Sequence, residues 1–297
     1  MPQRTILLPF DGSRTALRAV PYAAAFAKLG EPARVVVFTV MPTRDQPDSV
    51  PDLGSRDHWE TAVRRTLRPA ERRLKSLGVA DVVVDTTWGQ HDAEEIVQAA
   101  DRYGASMIVM GTHGRSGLAR ALLGSVAMGV MHHARVPVVF VPPGSPVREA
   151  RIRRAVFAVD GSDLALQALP LAQSLAEAGV ETIVLQAIPP STMFVPVAVP
   201  GAEGYLPAGV IDAITEAAEA HVREIVSRFP AGKARGEVML GPPASSITEY
   251  AHDNNVDLIV MTTHARGGLG RLVLGSVTDR VVRTAKIPVM VVRPKEN

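Results

Sequence analysis

The stretch that decides the fold is Ile6-Leu7-Leu8-Pro9-Phe10-Asp11-Gly12-Ser13, because it returns later in the chain as Ala155-Val156-Phe157-Ala158-Val159-Asp160-Gly161-Ser162. In both copies an apolar run ends in Asp-Gly-Ser, and the two aspartates are 149 residues apart (160 − 11). A short apolar run bounded by turn residues is typical of a buried strand, and the serine that follows can begin a helix. The recurrence therefore predicts a duplicated unit that starts with a strand and a helix.

Further matches follow in the same order along the chain. Met110-Gly111-Thr112-His113-Gly114-Arg115 corresponds to Met261-Thr262-Thr263-His264-Ala265-Arg266, and Leu123-Gly124-Ser125-Val126 corresponds to Leu274-Gly275-Ser276-Val277. The offset is 151 residues in both cases (261 − 110 and 274 − 123). We therefore predict two similar domains, at residues 1–143 and 152–297, joined by a polar linker at 144–151.

Short apolar runs alternate with helical patterns in each half. The predicted strands of the first half are 4–10, 34–40, 81–87, 106–110 and 137–141, and those of the second are 154–159, 182–188, 235–240, 257–262 and 288–292. The predicted helices of the first half are 14–29, 57–77, 92–103 and 125–134. Nearly continuous apolar strands that alternate with helices indicate parallel sheets buried on both faces. The predicted fold class is α/β, with two doubly wound domains that each have a five-stranded parallel sheet and helices on both faces.

Two long segments interrupt this alternation, at 41–56 and 189–208, and each follows the second strand of its half. Loops of this length are usually functional or mobile. The second segment is rich in proline and apolar residues, so it is either a flap packed on its own domain, a lid or a dimer contact.

The composition excludes several classes of protein. The chain has 297 residues, a net charge of +2 and no cysteine, so disulfides, thiolate catalysis and cysteine-based metal sites are excluded. Basic residues are interspersed with acids, which is not typical of a nucleic-acid-binding protein. No apolar run approaches the roughly 18 residues of a membrane span, and the first residues lack a signal-peptide pattern. We expect a cytoplasmic protein with neither a membrane nor a nucleic acid as partner.

The residues suited to ligand binding lie where the first and fourth strands end. In an open α/β sheet, ligands bind outside the carboxyl ends of the strands, where the strand order reverses. Asp11 ends the first strand, and Gly111 follows the fourth. The loop from Gly111 contains glycines that permit close approach and positive φ, and it runs to Gly124-Ser125, where Ser125 is a candidate N-cap. Because a helix N-terminus attracts anions, a phosphate chain could lie across this loop.

The spacing of this loop resembles the nucleotide motif of the universal stress protein family, which is Gly, two residues, Gly, nine residues, Gly, then Ser or Thr. Gly111, Gly114, Gly124 and Ser125 match it in full, and the resemblance spans both halves of the chain. It implies a tandem member of the family with an adenine nucleotide alpha hydrolase-like fold. It also implies ATP binding without robust turnover, dimers, and a role in stress or dormancy signalling.

Residue by residue, the resemblance implies an ATP site in each half. Asp11 would lie near the adenosine, the main chain of Val40 near adenine, and the glycine loop around ribose and phosphates. The candidate residues of the first half are Pro9, Asp11, Gly12, Val40, Gly111, Thr112, His113, Gly114, Arg115, Gly117, Gly124 and Ser125. Those of the second half are Asp160, Gly161, Ile188, Thr262, His264, Ala265, Arg266, Gly268, Gly275 and Ser276. Since Thr262 and Ala265 replace the first two glycines, we expect weaker binding there.

Simpler roles compete with these. Asp11 and Asp160 could only cap helices, and His113 and His264 could bond to the backbone rather than to phosphate. A group of arginines on the second helix forms either a solvated face or a partner surface; they are Arg64, Arg65, Arg68, Arg72 and Arg73. No protein metal site is predicted, so a magnesium ion would come only with the nucleotide.

Three functions remain open from the sequence. The first is an ATP-binding regulatory or signalling module of the stress response, with an unidentified protein partner. The second is a slow ATPase or phosphotransfer enzyme, for which no catalytic residue is assigned because a positioned base is lacking. The third is a nucleotide-free dimerisation scaffold. The last strands, 137–141 and 288–292, are predicted sheet edges that pair either the two halves or two chains of a homodimer.

Overall fold

The computed structural model describes residues 4–42, 56–112, 123–145, 150–190, 194–196, 203–205, 208–263 and 275–294. The chain divides into two compact units, with the boundary between Arg151 and Ile152. Residues 286–293, near the end of the chain, belong to the first unit.

The described residues of the first repeat form five strands and four helices in strict alternation. Its strands are β1 (Thr5–Pro9), β2 (Arg34–Pro42), β3 (Val82–Gly89), β4 (Ala105–Gly111) and β5 (Val138–Val141). Its helices are α1 (Arg14–Lys28), α2 (Arg56–Ser76), α3 (Asp92–Arg102) and α4 (Ser125–His133). The strands pair in parallel in the order β3-β2-β1-β4-β5. Right-handed crossovers place α1 and α2 on one face and α3 and α4 on the other, and the members of each pair are in contact.

The second repeat starts in the same way. Its strands are β6 (Arg154–Val159), β7 (Glu181–Ile188), β8 (Phe194–Pro196), β9 (Glu203–Tyr205), β10 (Ala234–Leu240), β11 (Leu258–Thr262) and β12 (Val289–Val292). Its helices are α5 (Leu169–Glu177), α6 (Ala208–Ser227), α7 (Pro243–Asp253) and α8 (Ser276–Thr284), and a 3₁₀ turn at Ala165–Ala168 precedes α5. Four strands pair in parallel in the order β10-β7-β6-β11. The doubly wound α/β class predicted from the alternation is therefore confirmed.

The last strand of the chain completes the sheet of the first unit. β12 pairs antiparallel with β5, so that Met290 lies opposite Val139. Both residues are fully buried. The first unit thus has five parallel strands from its own repeat and one antiparallel strand from the chain's end.

The two interruptions are only partly visible. β8 and β9 form a two-stranded antiparallel ribbon within the segment predicted at 189–208. The other segment, 41–56, lies almost entirely outside the described residues, since β2 ends at Pro42 and α2 begins at Arg56.

The core of each unit consists of the apolar strands and the helix faces that cover them. Ile6, Leu7 and Leu8 of β1 are fully buried, as are Val35 to Phe38 of β2. Burial on both sides of the sheet explains why these strands have no polar alternation.

Candidate functional site

The turn after β1 is held by two short side chains. The Oδ1 atom of Asp11 accepts a hydrogen bond from the amide of Ser13 at 2.9 Å, and the Oγ atom of Ser13 accepts one from the amide of Ala16 at 3.0 Å. Ser13 is therefore the N-cap of α1, while half-buried Asp11 orders the turn. Gly12 has a φ of +79°, and a Cβ atom there would lie 2.7 Å from Cγ2 of Thr66 in α2.

The first and fourth strands are neighbours, as the site hypothesis requires. Leu7 of β1 lies opposite Ile108 of β4, and Pro9 lies opposite Phe38 of β2. The chain leaves β1 toward β2 and returns to β4 on the other side, so this is where the strand order reverses. The Asp11 turn and the end of β4 at Gly111 therefore flank one crevice at the carboxyl edge of the sheet.

Gly111 is required by close packing rather than by backbone conformation. The φ of Gly111 is not positive, although we expected the glycines of this loop to adopt positive φ. A Cβ atom at Gly111 would lie 3.1 Å from both Cγ2 and the main-chain oxygen of Thr15. The first turn of α1 thus passes so near to the end of β4 that a side chain would push it away.

The two ends of the glycine loop are joined to each other. The amide of Gly124 donates to the carbonyl oxygen of buried Thr112 at 2.8 Å, and the amide of Thr112 donates to the carbonyl of Val141 at 3.1 Å. Gly124, with extended backbone, is the N-cap of α4, and exposed Ser125 is the first helical residue. The prediction of Ser125 as N-cap is therefore wrong, because the chain enters the helix one residue earlier. Gly124 has no side chain to cap α4, and the amides of the first turn have no intrahelical acceptor.

The second unit repeats the opening turn in a more open form. Oδ1 of Asp160 accepts hydrogen bonds from the amide of Ser162 at 3.1 Å and from its Oγ atom at 2.6 Å. Gly161 has a φ of +83°. A Cβ atom added to it would have Nε2 of Gln186 as its nearest neighbour, at 3.6 Å. The buried Oε1 atom of Gln186 has no hydrogen-bond partner among the described residues. The amide of Gln186 therefore lies beside this turn with its oxygen unsatisfied in the described part of the chain.

Thr262 occupies the place that Gly111 has in the first unit, and its side chain is bonded internally. Its Oγ1 atom donates to the carbonyl oxygen of Ala165 at 3.2 Å, and its own carbonyl accepts from Oγ1 of Thr278 at 3.1 Å. Both threonines are buried. The segment that contacts Thr262 is the 3₁₀ turn Ala165–Ala168, whereas α1 begins directly as an α-helix. The backbone that faces this position therefore differs between the two units, where threonine replaces glycine.

The N-cap is glycine in both units. Gly275 is the N-cap of α8 and Ser276 is its first residue. The first turn of α8 also contains an acid, Asp279, whereas that of α4 contains none, so α8 attracts anions less strongly.

The register of the strands corrects the pairing of Val40 with Ile188. Pro9 lies opposite Phe38, and the equivalent Ala158 lies opposite Leu185. Two residues further along, the residue of the second unit that is equivalent to half-buried Val40 is therefore Ala187. The carbonyl of Ile188 already accepts from the amide of Gly241 at 2.9 Å. The apolar pattern could not reveal this shift of one residue, because both strands are hydrophobic throughout.

Much of the predicted loop lies outside the described residues. This applies in the first half to His113, Gly114, Arg115 and Gly117, and in the second half to His264, Ala265, Arg266 and Gly268. Sequence reasoning missed Thr15, Thr66, Gln186 and Thr278, which contact or flank the site. Thr15 and Thr278 lie two residues after a motif serine, whereas Thr66 and Gln186 lie on other elements, and no residue pattern marks any of the four.

The clearest change in acidity in the first unit is at Tyr103. Its Oη atom donates to Oδ2 of Asp85 at 2.5 Å. Burial, then the hydrogen bond and negative charge of Asp85, raise the pKa of Tyr103 to about 12. Asp85 lies opposite Phe38, which itself lies opposite Pro9, so the pair is two strands from the Asp11 turn. The hydrogen bond therefore joins β3 to the end of α3, away from the crevice.

Two features are absent from the described residues, a cluster of candidate metal ligands and a membrane-spanning helix. No group of three or more histidine, aspartate or glutamate side chains there is arranged to hold a metal ion. No helix in that part of the chain is both long and apolar enough to cross a membrane.

Comparison with known proteins gives the same picture in both halves. The sequence model of the Universal stress protein family matches residues 3–142 and again 151–293. A universal stress protein of Mycobacterium tuberculosis is 29% identical over 195 residues, which are 64% of this chain and 62% of that protein. The alignment thus spans about three fifths of that relative. A universal stress protein of Thermus aquaticus is 34% identical over 141 residues, 46% of this chain and 98% of that one.

Solved structures match the whole chain in fold. A universal stress protein from Archaeoglobus fulgidus has a TM-score of 0.70 at 22% identity and covers 99% of each chain. A protein of unknown function from Pseudomonas aeruginosa has a TM-score of 0.66 at 18% identity, over 98% of this chain and 93% of that one. With the two family matches and the repeated strand–turn–helix edge, these similarities identify the chain as a tandem-domain member of the Universal stress protein family.

Proposed function

We propose that the protein binds ATP in its first unit and acts as a nucleotide-dependent regulatory or signalling module of the stress response. The observation that carries the proposal is the bond between the Gly124 amide and the Thr112 carbonyl. It brings the uncapped start of α4 back to the end of β4, beside the Asp11 turn. The loop with the full glycine motif therefore begins and ends at one crevice.

In this proposal each part of the crevice has a separate task. The carboxylate of Asp11 lies near the adenosine, and the main chain of Val40 lies at the adenine. The end of β4 at Gly111 lies at this edge of the crevice, where the ribose and phosphates are proposed to bind. The amides at the start of α4 suit the phosphates, and any magnesium ion arrives with the nucleotide.

The second unit is proposed to bind nucleotide more weakly. Its helix start at Gly275–Ser276 is retained, but Thr262 places a side chain between β11 and the first turn. The Thr262 side chain is held by its hydrogen bond to the carbonyl of Ala165, so rotating it away would break that bond. Each 1.4 kcal/mol lost at this position would weaken binding about tenfold.

We also propose that the last strands mediate association, either of the two halves or of two chains. The antiparallel pairing of β5 with β12 supports this proposal, because it uses both strands that the sequence predicts as edges.

The nucleotide proposal is tested by boiling the purified protein and chromatographing the supernatant, followed by calorimetric titration of nucleotide-stripped protein. We expect ATP in the supernatant and one tight site per chain. Excess ADP would favour the slow ATPase or phosphotransfer alternative, and absence of nucleotide together with no binding would favour the scaffold.

Two matched variants locate the site. Gly124→Glu places a carboxylate where phosphates are proposed to lie, and the φ of −60° at Gly124 accepts a side chain. Gly144→Glu is the control, because Gly144 is exposed and a Cβ atom there meets nothing within 4 Å. We expect Gly124→Glu alone to abolish tight binding while both variants fold. Equal binding by the two variants would contradict the assignment.

A further inference from the structure

Two helices that hold the same place in the two repeats carry opposite charges. α2 connects β2 to β3, and α6 lies between β7 and β10. The exposed face of α2 is lined by arginines, whereas that of α6 is lined by acids. Equivalent helices of a duplicated domain have thus become electrostatic opposites.

The arginine stripe of α2 consists of Arg65, Arg68 and Arg72. At 100° per residue, these three side chains lie within an arc of roughly 60°. All three are exposed, and none forms an ion pair with another residue in the described part of the chain. The nearby Glu71 is already engaged by Lys75 at 2.6 Å. The stripe therefore presents three unbalanced positive charges.

The acidic stripe of α6 consists of Asp212, Glu216 and Glu219. These three side chains also lie within an arc of roughly 60°, and all are exposed. Glu219 has one exposed partner, Arg223, at 3.4 Å. Neighbouring exposed positions on α6 are small alanines, Ala213, Ala217 and Ala220, over which long arginine side chains can lie.

The spacing of the two stripes matches when the helices run antiparallel. Reading forward along α6, the acids are separated by four and then three residues. Reading backward along α2, the arginines Arg72, Arg68 and Arg65 are separated by the same four and three residues. Successive pairs are thus about 6 Å and about 4.5 Å apart on both helices.

We infer that α2 of one molecule docks antiparallel on α6 of a second copy of this chain, with Arg72 opposite Asp212, Arg68 opposite Glu216 and Arg65 opposite Glu219. A second copy is the fitting occupant because every chain carries both stripes, so each charge finds an opposite. A polyanion such as nucleic acid or an acidic membrane matches only the arginine stripe and is repelled by the acidic one. The inference is independent of nucleotide binding.

The physical nature of the contact determines how it behaves. Exposed ion pairs are individually weak, and salt screens them over about 8–10 Å at ordinary ionic strength. The association is therefore weak at physiological salt and is strengthened by several pairs acting together. It depends on ionic strength, unlike the pairing of apolar strands.

Sedimentation of the full chain at about 50 mM and about 500 mM salt tests the contact, because the higher concentration shortens the screening length more than twofold. Two triple variants reverse the stripes, R65E/R68E/R72E and D212K/E216K/E219K. The control K28E/R102E/R153E makes the same change of charge as the first variant at exposed positions elsewhere. We expect salt-sensitive self-association in the wild type and the control, and a loss of about tenfold or more in each stripe variant.

The decisive measurement is an equimolar mixture of the two stripe variants. In the mixture the reversed α2 of one variant meets the reversed α6 of the other, and the two unaltered helices also match. Salt-sensitive association should therefore return in the mixture although neither variant alone shows it. Failure of the mixture to associate overturns the inference. So does loss of association in the arginine variant only, which would instead assign the stripe to a different anionic partner.

Discussion

At the scale of single residues, Gly111 and Thr262 show how one position directs the local backbone. A side chain at Gly111 would be crowded against Thr15, whereas Thr262 fills the equivalent space and bonds to Ala165. Because a β-branched residue in a strand needs no unusual φ, the difference between the units lies in packing rather than in backbone strain.

Gly111→Ala tests this explanation. The added methyl group would lie 3.1 Å from the main-chain oxygen of Thr15, so α1 must shift. We expect the free energy of unfolding to fall by about 1–3 kcal/mol, as for other overpacked sites. Chemical denaturation measures it, with Gly144→Ala as the control in open space. Equal stability of the two variants would show that α1 is not held against β4.

The pair Tyr103–Asp85 predicts a dependence on alkaline pH. The pKa of Tyr103 is raised from 10.0 to about 12, so the protonated form is favoured by folding. Its stabilising contribution is complete below pH 10 and is lost as the pH rises through about 12. The tyrosinate absorbance of wild type minus Tyr103→Phe isolates this titration. Asp85→Asn should lower the pKa only in part, because burial is the larger cause; an unchanged pKa would contradict the role of Asp85.

At the scale of elements, the sequence predicted which segments form strands and helices. It did not predict where α4 begins or how the strands align with one another. The apolar runs and the repeated Asp-Gly-Ser indicated β1, β6 and the helices that follow. The N-cap role of Gly124 rather than Ser125 depends on the bond to Thr112, and the register of Val40 depends on pairing with a neighbouring strand. Contacts between distant residues determine both, and no local pattern contains them.

Two serines that begin helices should differ in their contribution to stability. Ser13 caps α1 through its bond to the amide of Ala16, whereas Ser125 is an exposed first residue without a capping bond. We expect Ser13→Ala to lower the free energy of unfolding by about 1 kcal/mol and Ser125→Ala by less than about 0.5 kcal/mol. Parallel denaturant titrations measure both. A larger loss for Ser125→Ala would restore Ser125 as the cap.

At the scale of the whole molecule, the first unit depends on a strand from the far end of the chain. Removing residues 286–297 leaves β5 as an uncovered apolar edge, and such edges recruit other strands. We expect this shortened chain to self-associate more than the full chain in light scattering, even at high salt. Removal of residues 295–297 alone is the control. A shortened chain that stays as monodisperse as the control would refute the protective role of β12.

The position of β12 also has a consequence for the newly made protein. The first repeat is translated early, yet the sixth strand of the first unit, Val289–Val292, is synthesised only after β6 to β11 and α5 to α8. At roughly 5–20 residues per second, the apolar edge of β5 waits for about 7–30 s. During that interval the nascent chain carries an incomplete sheet. Chaperone binding and the rate of translation therefore affect the fraction of chains that fold correctly.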